Sequence, residues 1–132
     1  MITTKTHGVL DYIVGAALIA APWLFGFPDG GAEMWVPVAL GAGSLVYSLI
    51  TDYELGIAHL LPMRGHLLVD FLAGLFLAAS PWLFGFADKV WLPHVVVGLF
   101  MLASSLTTSH VPSGSARRSR HSVPHAKAGI PR

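Results

Sequence analysis

Residues 22–27 read Pro-Trp-Leu-Phe-Gly-Phe, and residues 81–86 read the same six letters. A basic residue, a histidine and an aspartate precede both copies with one spacing, as KTHGVLD at residues 5–11 and RGHLLVD at residues 64–70. The offset is 59 residues throughout, and no gap is needed. Because the matches include Trp, Pro, His and Asp, chance is a poor explanation. The chain is therefore built from two copies of one unit.

The composition indicates that lipid surrounds this unit. Hydrophobic residues make up 54% of the chain and charged residues 11%, whereas soluble domains hold about 25% charged residues. Apolar stretches at about 8–27 and 66–86 are long enough to cross a core of about 30 Å. Those at about 34–50 and 90–107 lie at the short end of the spanning range. A soluble helical bundle is the alternative, but these stretches leave it without a polar shell.

The repeat predicts an all-α fold, a four-transmembrane-helix bundle made of two tandem helical hairpins. Each hairpin leaves and returns to one side of the membrane, so we expect a pseudo-twofold axis along the membrane normal. The membrane domain should span residues 1–108, with repeat one at about 5–52 and repeat two at about 64–108. The tail, 109–132, holds five Lys/Arg and no acid, which predicts a disordered basic cytoplasmic segment.

Basic residues predict the orientation. With a cytoplasmic N-terminus, Lys5, Arg64 and the basic tail lie inside and only Lys89 lies outside, which satisfies the positive-inside rule. We therefore expect a multi-pass protein of the cell inner membrane with both termini in the cytoplasm. The first apolar stretch should be retained rather than cleaved, because Asp11 interrupts it and the same pattern recurs later in the chain.

One proline interrupts the predicted first helix of each hairpin. Pro22 and Pro81 lack an N–H and leave the carbonyl four residues earlier without its helical partner, which in hydrocarbon must be satisfied from elsewhere. Ser80 offers a hydroxyl in the second copy, whereas Ala21 offers none in the first. We expect a kink that aims the following tryptophan, Trp23 or Trp82, at the interface. The alternative is a broken helix that lines a substrate site, as in some transporters.

Aromatic residues predict a belt at the outer face, which would hold Trp23, Trp35, Trp82, Trp91, Phe25, Phe27, Phe84 and Phe86. Gly26 and Gly85 suit the ends of the preceding helices. A Trp-x-Pro pattern at residues 35–37 recurs at 91–93 with an offset of 56. Both of its prolines should fall in a first helical turn, where no N–H bond is lost, and His94 should be interfacial.

Ser80-Pro81-Trp82, within a hairpin of two membrane helices, resembles the SPW repeat of small bacterial membrane proteins. The resemblance covers nearly all of residues 5–107 in two copies, although the first copy reads Ala21-Pro22-Trp23. It implies membrane residence and a hairpin architecture, and it implies no activity.

Two histidines and two aspartates form the one group of residues in the sequence that is suited to acid–base or metal chemistry. His7 and Asp11, like His66 and Asp70, are four residues apart and share a helical face. Asp70 lies 12 residues before Trp82, or about 18 Å along the helix axis, which places it below the headgroups. Because intramembrane acids usually face the bundle interior and have a partner, we expect both pairs to point inward.

Three interpretations of these four residues stay open. They form structural hydrogen bonds across the pseudo-twofold axis, they form a proton- or cation-handling site, or they bind a metal. Two His and two Asp suit a divalent ion, but the Glu-x-x-His pattern of di-iron bundles is absent. The sequence favours the structural interpretation, with neither metal nor cofactor.

The leading functional prediction is a structural or accessory membrane protein that is not an enzyme and has no catalytic residues. The expected partners are the lipid bilayer, anionic headgroups at the basic tail, and a second copy or another membrane protein, but no nucleic acid. Small residues at Ala39-x-x-x-Gly43 and Gly74-x-x-x-Ala78 suit close helix contacts inside the bundle or in a dimer. The alternative is a small proton- or cation-handling transporter or channel that uses His7, Asp11, His66 and Asp70.

Overall fold

The computed structural model describes residues 1–111 of the chain. These residues form four α-helices and no β-strand, the helices being α1 (Thr4–Leu24), α2 (Ala32–Ile50), α3 (Met63–Leu83) and α4 (Leu92–Thr107). The first three are long and apolar enough to cross a membrane, and α4 is apolar but has 16 residues. The predicted all-α bundle of four helices is confirmed. The tail predicted to be disordered lies, from residue 112 onward, outside the described residues.

Each hairpin is held by a close helix crossing at a pair of glycines. α1 packs mainly on α2, and α3 mainly on α4. A Cβ on Gly41 would lie 2.6 Å from the carbonyl oxygen of Gly15, and a Cβ on Gly98 would lie 2.6 Å from that of Gly74. Only a residue without a side chain permits backbones to approach this closely.

The small-residue pairs that the sequence singled out have different surroundings. A Cβ on Gly98 would also lie 2.8 Å from the Cβ of Ala78, so Gly74 and Ala78 serve the contact within the second hairpin. Ala39 and Gly43 face outward, and a Cβ on Gly43 would meet nothing within 4 Å. One pair therefore closes a hairpin, and the other lies on the surface of the bundle.

Matching backbone contacts relate the two hairpins. Thr51 forms a parallel bridge with Leu61, at the start of the second hairpin, and Thr108 forms the same bridge with Ile2. Leu61 follows Ile2 by 59 residues, the offset of the first helices, but Thr108 follows Thr51 by 57. The second helices thus correspond at an offset of 57 rather than the 56 that the Trp-x-Pro pattern predicts.

This shift changes the environment of one proline. α4 begins at Leu92, so Pro93 lies in its first turn as predicted. α2 begins at Ala32, after the Gly31 N-cap, so Pro37 lies inside the helix, and the prediction of a first-turn position is wrong. The turn after α1 covers residues 25–31 and is no longer than the turn after α3, residues 84–91, so the residues added in the first repeat lengthen α2 at its start. Pro37 therefore costs α2 an internal hydrogen bond.

The loop between the hairpins covers the end of the bundle that the sequence predicts to face the cytoplasm, which we call the inner end; the opposite end is the outer end. Tyr53 is buried in it against Met63 and Leu67, and Glu54 accepts a hydrogen bond from Thr4 of α1 at 2.7 Å. Farther outward, Leu18, Leu77 and Met101 form a buried apolar cluster at mid-bundle. The fold therefore has a covered inner end and an apolar middle.

Alanine at Gly98 should lower the free energy of unfolding by about 1–3 kcal/mol, because its Cβ would collide with the backbone of α3. Thermal unfolding in detergent, followed by circular dichroism, measures the effect. Alanine at Gly43 is the control: with open space around it and a better helix propensity, it should not destabilise. Equal melting of the two variants would contradict the close crossing.

Candidate functional site

The structure brings the four ionisable side chains of the repeat together inside the bundle, below the apolar middle. We call this set the His–Asp cluster, and its members are His7 (1% exposed), Asp11 (8%), His66 (0%) and Asp70 (3%). One ligand-type atom of each residue lies within 4.8 Å of those of the other three. The cluster occupies the first two to three turns of α1 and α3.

The shortest contacts in the His–Asp cluster run between the repeats. His7 Nε2 lies 2.8 Å from Asp70 Oδ2, and His66 Nε2 lies 3.0 Å from Asp11 Oδ2. Within each helix, the His–Asp distances are longer, 3.3 Å in α1 and 3.2 Å in α3. Each histidine therefore faces both carboxylates, and the cluster joins the two hairpins across the pseudo-twofold axis.

Threonines at the ends of the second helices hold the other nitrogen of each ring. His66 Nδ1 lies 2.8 Å from Thr51 Oγ1, and His7 Nδ1 lies 2.9 Å from Thr108 Oγ1. Each threonine donates its own hydrogen to the backbone carbonyl four residues earlier, at 2.7 and 2.6 Å. The hydroxyls must then accept from Nδ1, because a hydroxyl has one hydrogen to give. Both rings therefore carry a hydrogen on Nδ1 and direct Nε2 at the carboxylates.

The position of the hydrogen on Nδ1 of both rings fixes the charge of the His–Asp cluster. Each Nε2 faces carboxylate oxygens, and such a contact is a hydrogen bond only when a proton lies between the two atoms. Two protons are therefore shared among two imidazoles and two carboxylates, and the cluster as a whole is neutral. A neutral set of hydrogen-bonded groups is the form in which ionisable residues are tolerated in hydrocarbon.

The two halves of the site differ at one position. The Tyr47 hydroxyl donates to Asp70 Oδ1, and its ring lies against His66 with centroids 4.9 Å apart. At the structurally equivalent position of α4 stands Ser104, whose hydroxyl lies 3.0 Å from His7 Nδ1. The smaller side chain borders a cavity of about 10 Å³ beside His7, room for a single water molecule.

Sequence reasoning found the four ionisable residues but missed their hydroxyl partners. An offset of 56 pairs Thr51 with Thr107, whereas the structure pairs it with Thr108. The repeated threonine was therefore visible in the sequence, but the predicted offset was wrong by one residue. The contact of Tyr47 with Asp70 depends on how α2 packs on α3, which neither the repeat nor the spacing of residues shows.

The Pro-Trp-Leu-Phe-Gly-Phe motif ends the first helix of each hairpin. α1 continues through Pro22 to Leu24, and Gly26 then adopts a φ of 76°. Phe27 donates its backbone N–H to the Pro22 carbonyl at 2.8 Å. This six-residue closure around a left-handed glycine is the Schellman motif, and Gly85 and Phe86 repeat it at the end of α3.

The serine of the second motif satisfies the carbonyl that its proline frees. Ser80 Oγ donates to the Leu77 carbonyl oxygen at 2.7 Å, as the sequence predicts, since Pro81 has no N–H for that group. Ala21 of the first copy has no such hydroxyl. Trp23 and Trp82 are exposed on the bundle surface, where lipid headgroups would meet them.

The motif's final aromatic residue turns inward, against expectation. Phe27 and Phe86 are buried, so their assignment to the aromatic belt is wrong, while Phe25 and Phe84 are exposed with the tryptophans. The left-handed glycine reverses the chain and directs the residue after it into the bundle. There the two rings lie against His94, with centroids 5.5 and 4.9 Å away.

His94 is a buried structural residue rather than an interfacial one. It is 2% exposed, and its Nε2 donates to the Glu33 carbonyl oxygen at 3.0 Å. That carbonyl is the group four residues before Pro37, which has no N–H to offer it. A side chain of α4 thus replaces the backbone hydrogen bond that α2 lacks.

Glu33 also carries the ion pair of the outer end. Its buried carboxylate accepts from Lys89 Nζ at 2.7 Å, and Asp29 lies 3.5 Å from the same ammonium. The hydrogen bond that Lys89 donates to Glu33 and the attraction of both carboxylates raise the pKa of Lys89. The cation predicted to lie outside therefore joins the turns of the two hairpins.

A second cavity separates this outer end from the apolar middle. It measures about 170 Å³ and is lined by side chains of α1, α2 and α4, among them Ala21, Pro37 and His94. The Leu18, Leu77 and Met101 cluster lies between this cavity and the His–Asp cluster.

The repeated hairpin, its Pro-Trp motif and its apolar helices agree with one comparison. A family model described as the SPW repeat domain matches residues 5–108. The chain belongs to the SPW repeat family. The suspected resemblance is thereby confirmed, and the family match and the span-like helices together make this SPW repeat protein a small membrane protein. No curated protein and no solved structure matches the chain.

Replacing His94 by Phe should destabilise this SPW repeat protein by about 1–3 kcal/mol, because the Glu33 carbonyl would be left unpaired. In a Pro37→Ala background the cost should be smaller, since an alanine at this position restores the helical N–H. A double-mutant cycle of thermal stabilities measures the difference. Strictly additive effects would show that His94 does not compensate for Pro37.

Proposed function

We propose that this protein is a structural or accessory component of the membrane, without catalytic activity, in which the His–Asp cluster locks two hairpins into one bundle. The observation that carries the proposal is the exchange of partners, in which His7 of the first repeat contacts Asp70 of the second and His66 contacts Asp11. Every ring nitrogen of the two histidines has a partner. Such a saturated arrangement suits a fixed joint.

The apolar middle of the bundle supports the same role. Leu18, Leu77 and Met101 are buried and lie outward of the His–Asp cluster. A path for ions would have to cross this layer. The side chains of the cluster are also covered on the inner side by the loop that buries Tyr53.

The alternative role, proton or cation handling by the same four residues, has one observation in its favour. Ser104 replaces the bulk of Tyr47 on one side of the cluster, and a cavity of about 10 Å³ there reaches His7, Asp11 and Asp70. A cavity of this size accommodates one water molecule, here beside three ionisable groups in a mainly apolar lining. Transport would require the apolar layer to open.

Membrane contacts define the proposed partners. The exposed tryptophans on the outer half, Trp23, Trp35, Trp82 and Trp91, support contact with the headgroup region of the bilayer. The basic tail would bind anionic headgroups at about 1 kcal/mol per residue held near the surface. A second copy or another membrane protein would pack against the outward helix faces. We assign no nucleic-acid partner.

The proposed location is the bacterial inner membrane, with both termini in the cytoplasm. Lys5 and Arg64 lie in the first turns of α1 and α3 at the inner end, and Lys89 lies in the outer turn. The basic tail adds five positive residues to the inner side. This distribution follows the positive-inside rule.

Asparagine at Asp70 should lower the stability of the bundle in detergent by about 3 kcal/mol, because it removes one of the two carboxylates that face the buried histidines and leaves one positive charge uncompensated. Thermal unfolding measures the loss. Asp52→Asn, a change at an exposed acid, should leave the melting temperature unaltered.

The same proteins in liposomes test the alternative. The structural role predicts no proton or cation flux above that of empty liposomes, for the wild type as for Asp70→Asn. A flux in the wild type that disappears in a folded Asp70→Asn variant would replace our proposal by transport.

Single cysteines should map the orientation without interference, because the chain contains none. In intact spheroplasts, a membrane-impermeant maleimide should label Asp88→Cys in the outer turn, whereas Asp52→Cys in the inner loop should react only after permeabilisation. The reverse labelling pattern would refute a cytoplasmic N-terminus.

A further inference from the structure

We propose that His7, Asp11, His66 and Asp70 bind one divalent transition-metal ion, foremost Zn²⁺, at the centre of the pseudo-twofold arrangement. The inference goes beyond the structural role proposed above, which depends only on the four side chains joining the hairpins.

The arrangement of donor atoms is the first argument. Two imidazole nitrogens and two carboxylate oxygens, one from each residue, converge from opposite helices. The four His–Asp distances lie between 2.8 and 3.3 Å. A tetrahedral zinc site with bonds of about 2.1 Å has edges of about 3.4 Å. Asp11 presents Oδ1 to His7 and Oδ2 to His66, and the four donor atoms, one from each residue, lie within 4.8 Å of one another. To admit the ion, the closest His–Asp pairs would separate by a few tenths of an ångström and the widest pairs of donors would approach each other.

The orientation of the rings is the second argument. Both histidines direct Nε2 into the cluster and donate Nδ1–H to a hydroxyl, of Thr51 or Thr108. A metal-bound histidine characteristically donates its other N–H to an oxygen in this way, which fixes both the tautomer and the ring plane. The Tyr47 hydroxyl binds Asp70 Oδ1 and leaves Oδ2 directed at the histidines.

Charge balance is the third argument. Without a metal, the cluster shares two protons and is neutral. One divalent cation replaces those two protons, so two neutral imidazoles, two carboxylates and the ion again sum to zero. A neutral site avoids the cost of a net charge in low-dielectric surroundings. Monovalent and trivalent ions leave a residual charge there.

The donor types select the class of metal. Imidazole nitrogen favours zinc, copper, iron and nickel, whereas magnesium and calcium prefer sites made of oxygen alone. Two N and two O donors from helices on opposite sides suit the tetrahedral coordination of Zn²⁺. Co²⁺ adopts the same geometry and serves as the spectroscopic probe.

Full-length protein purified in detergent without chelators, after expression in zinc-supplemented medium, should contain about one zinc ion per chain by elemental analysis. Exchange for Co²⁺ should produce the intense visible absorption of a tetrahedral site. His66→Gln should lose at least nine-tenths of this bound metal. Thr51→Val, which removes only the hydroxyl behind His66, should weaken Co²⁺ affinity by about 10- to 100-fold.

His59→Gln is the matched control, since His59 lies exposed in the inner loop beside Asp52, and it should retain the full metal content. Circular dichroism and gel filtration verify that each variant is folded. Asp70→Asn provides a second ligand variant, should His66→Gln fail to fold. Metal content in the wild type no higher than in the ligand variants, or loss of metal in His59→Gln, would overturn the proposal. The structural role is judged separately, from the stability of metal-free Asp70→Asn, and survives that outcome.

Discussion

The bundle depends on the pairing of two histidines with two aspartates across its centre. In hydrocarbon an unpaired carboxylate or imidazolium would be costly, so each repeat needs the other to satisfy its ionisable residues. His7 and His66 contact the aspartate of the opposite repeat more closely than their own. One hairpin alone would therefore expose an incomplete set of buried polar groups, and the two repeats form a single folding unit.

Duplication of the hairpin explains why the contacts occur in pairs. Positions at which the two repeats carry different residues explain where the two hairpins differ in structure. The threonine that holds each histidine and the bridge beside it recur in both repeats. Tyr47 and Ser104 occupy equivalent positions yet differ in size, so the tyrosine contacts Asp70 on one side and a small cavity lies on the other. The two sides of the His–Asp cluster therefore differ although the helices around it are related by pseudo-twofold symmetry, and this difference is the feature most relevant to any ligand.

Prolines impose a second constraint, which the protein meets in different ways at Pro81 and at Pro37. Every proline inside a helix leaves a carbonyl that lipid cannot satisfy. Ser80 supplies a hydroxyl from the same helix for Leu77, while His94 supplies an N–H from another helix for Glu33. The first solution is local and readable from the chain. The second depends on how α2 and α4 pack.

The sequence by itself determined the helices, the hairpins, their duplication and the four ionisable residues, because hydrophobic length, proline, glycine and i,i+4 spacing act locally along the chain. Only the tertiary structure decided that His7 pairs with Asp70, that Thr108 rather than Thr107 matches Thr51, and that Phe27 and His94 are buried. The reason is that the contacts of His7, Thr108 and His94 depend on helix register, whereas Phe27 is directed inward by the left-handed Gly26. A shift of one residue turns a helical side chain by about 100°. Comparing the sequences of the two repeats does not reveal such a shift when the segments that connect their helices differ in length.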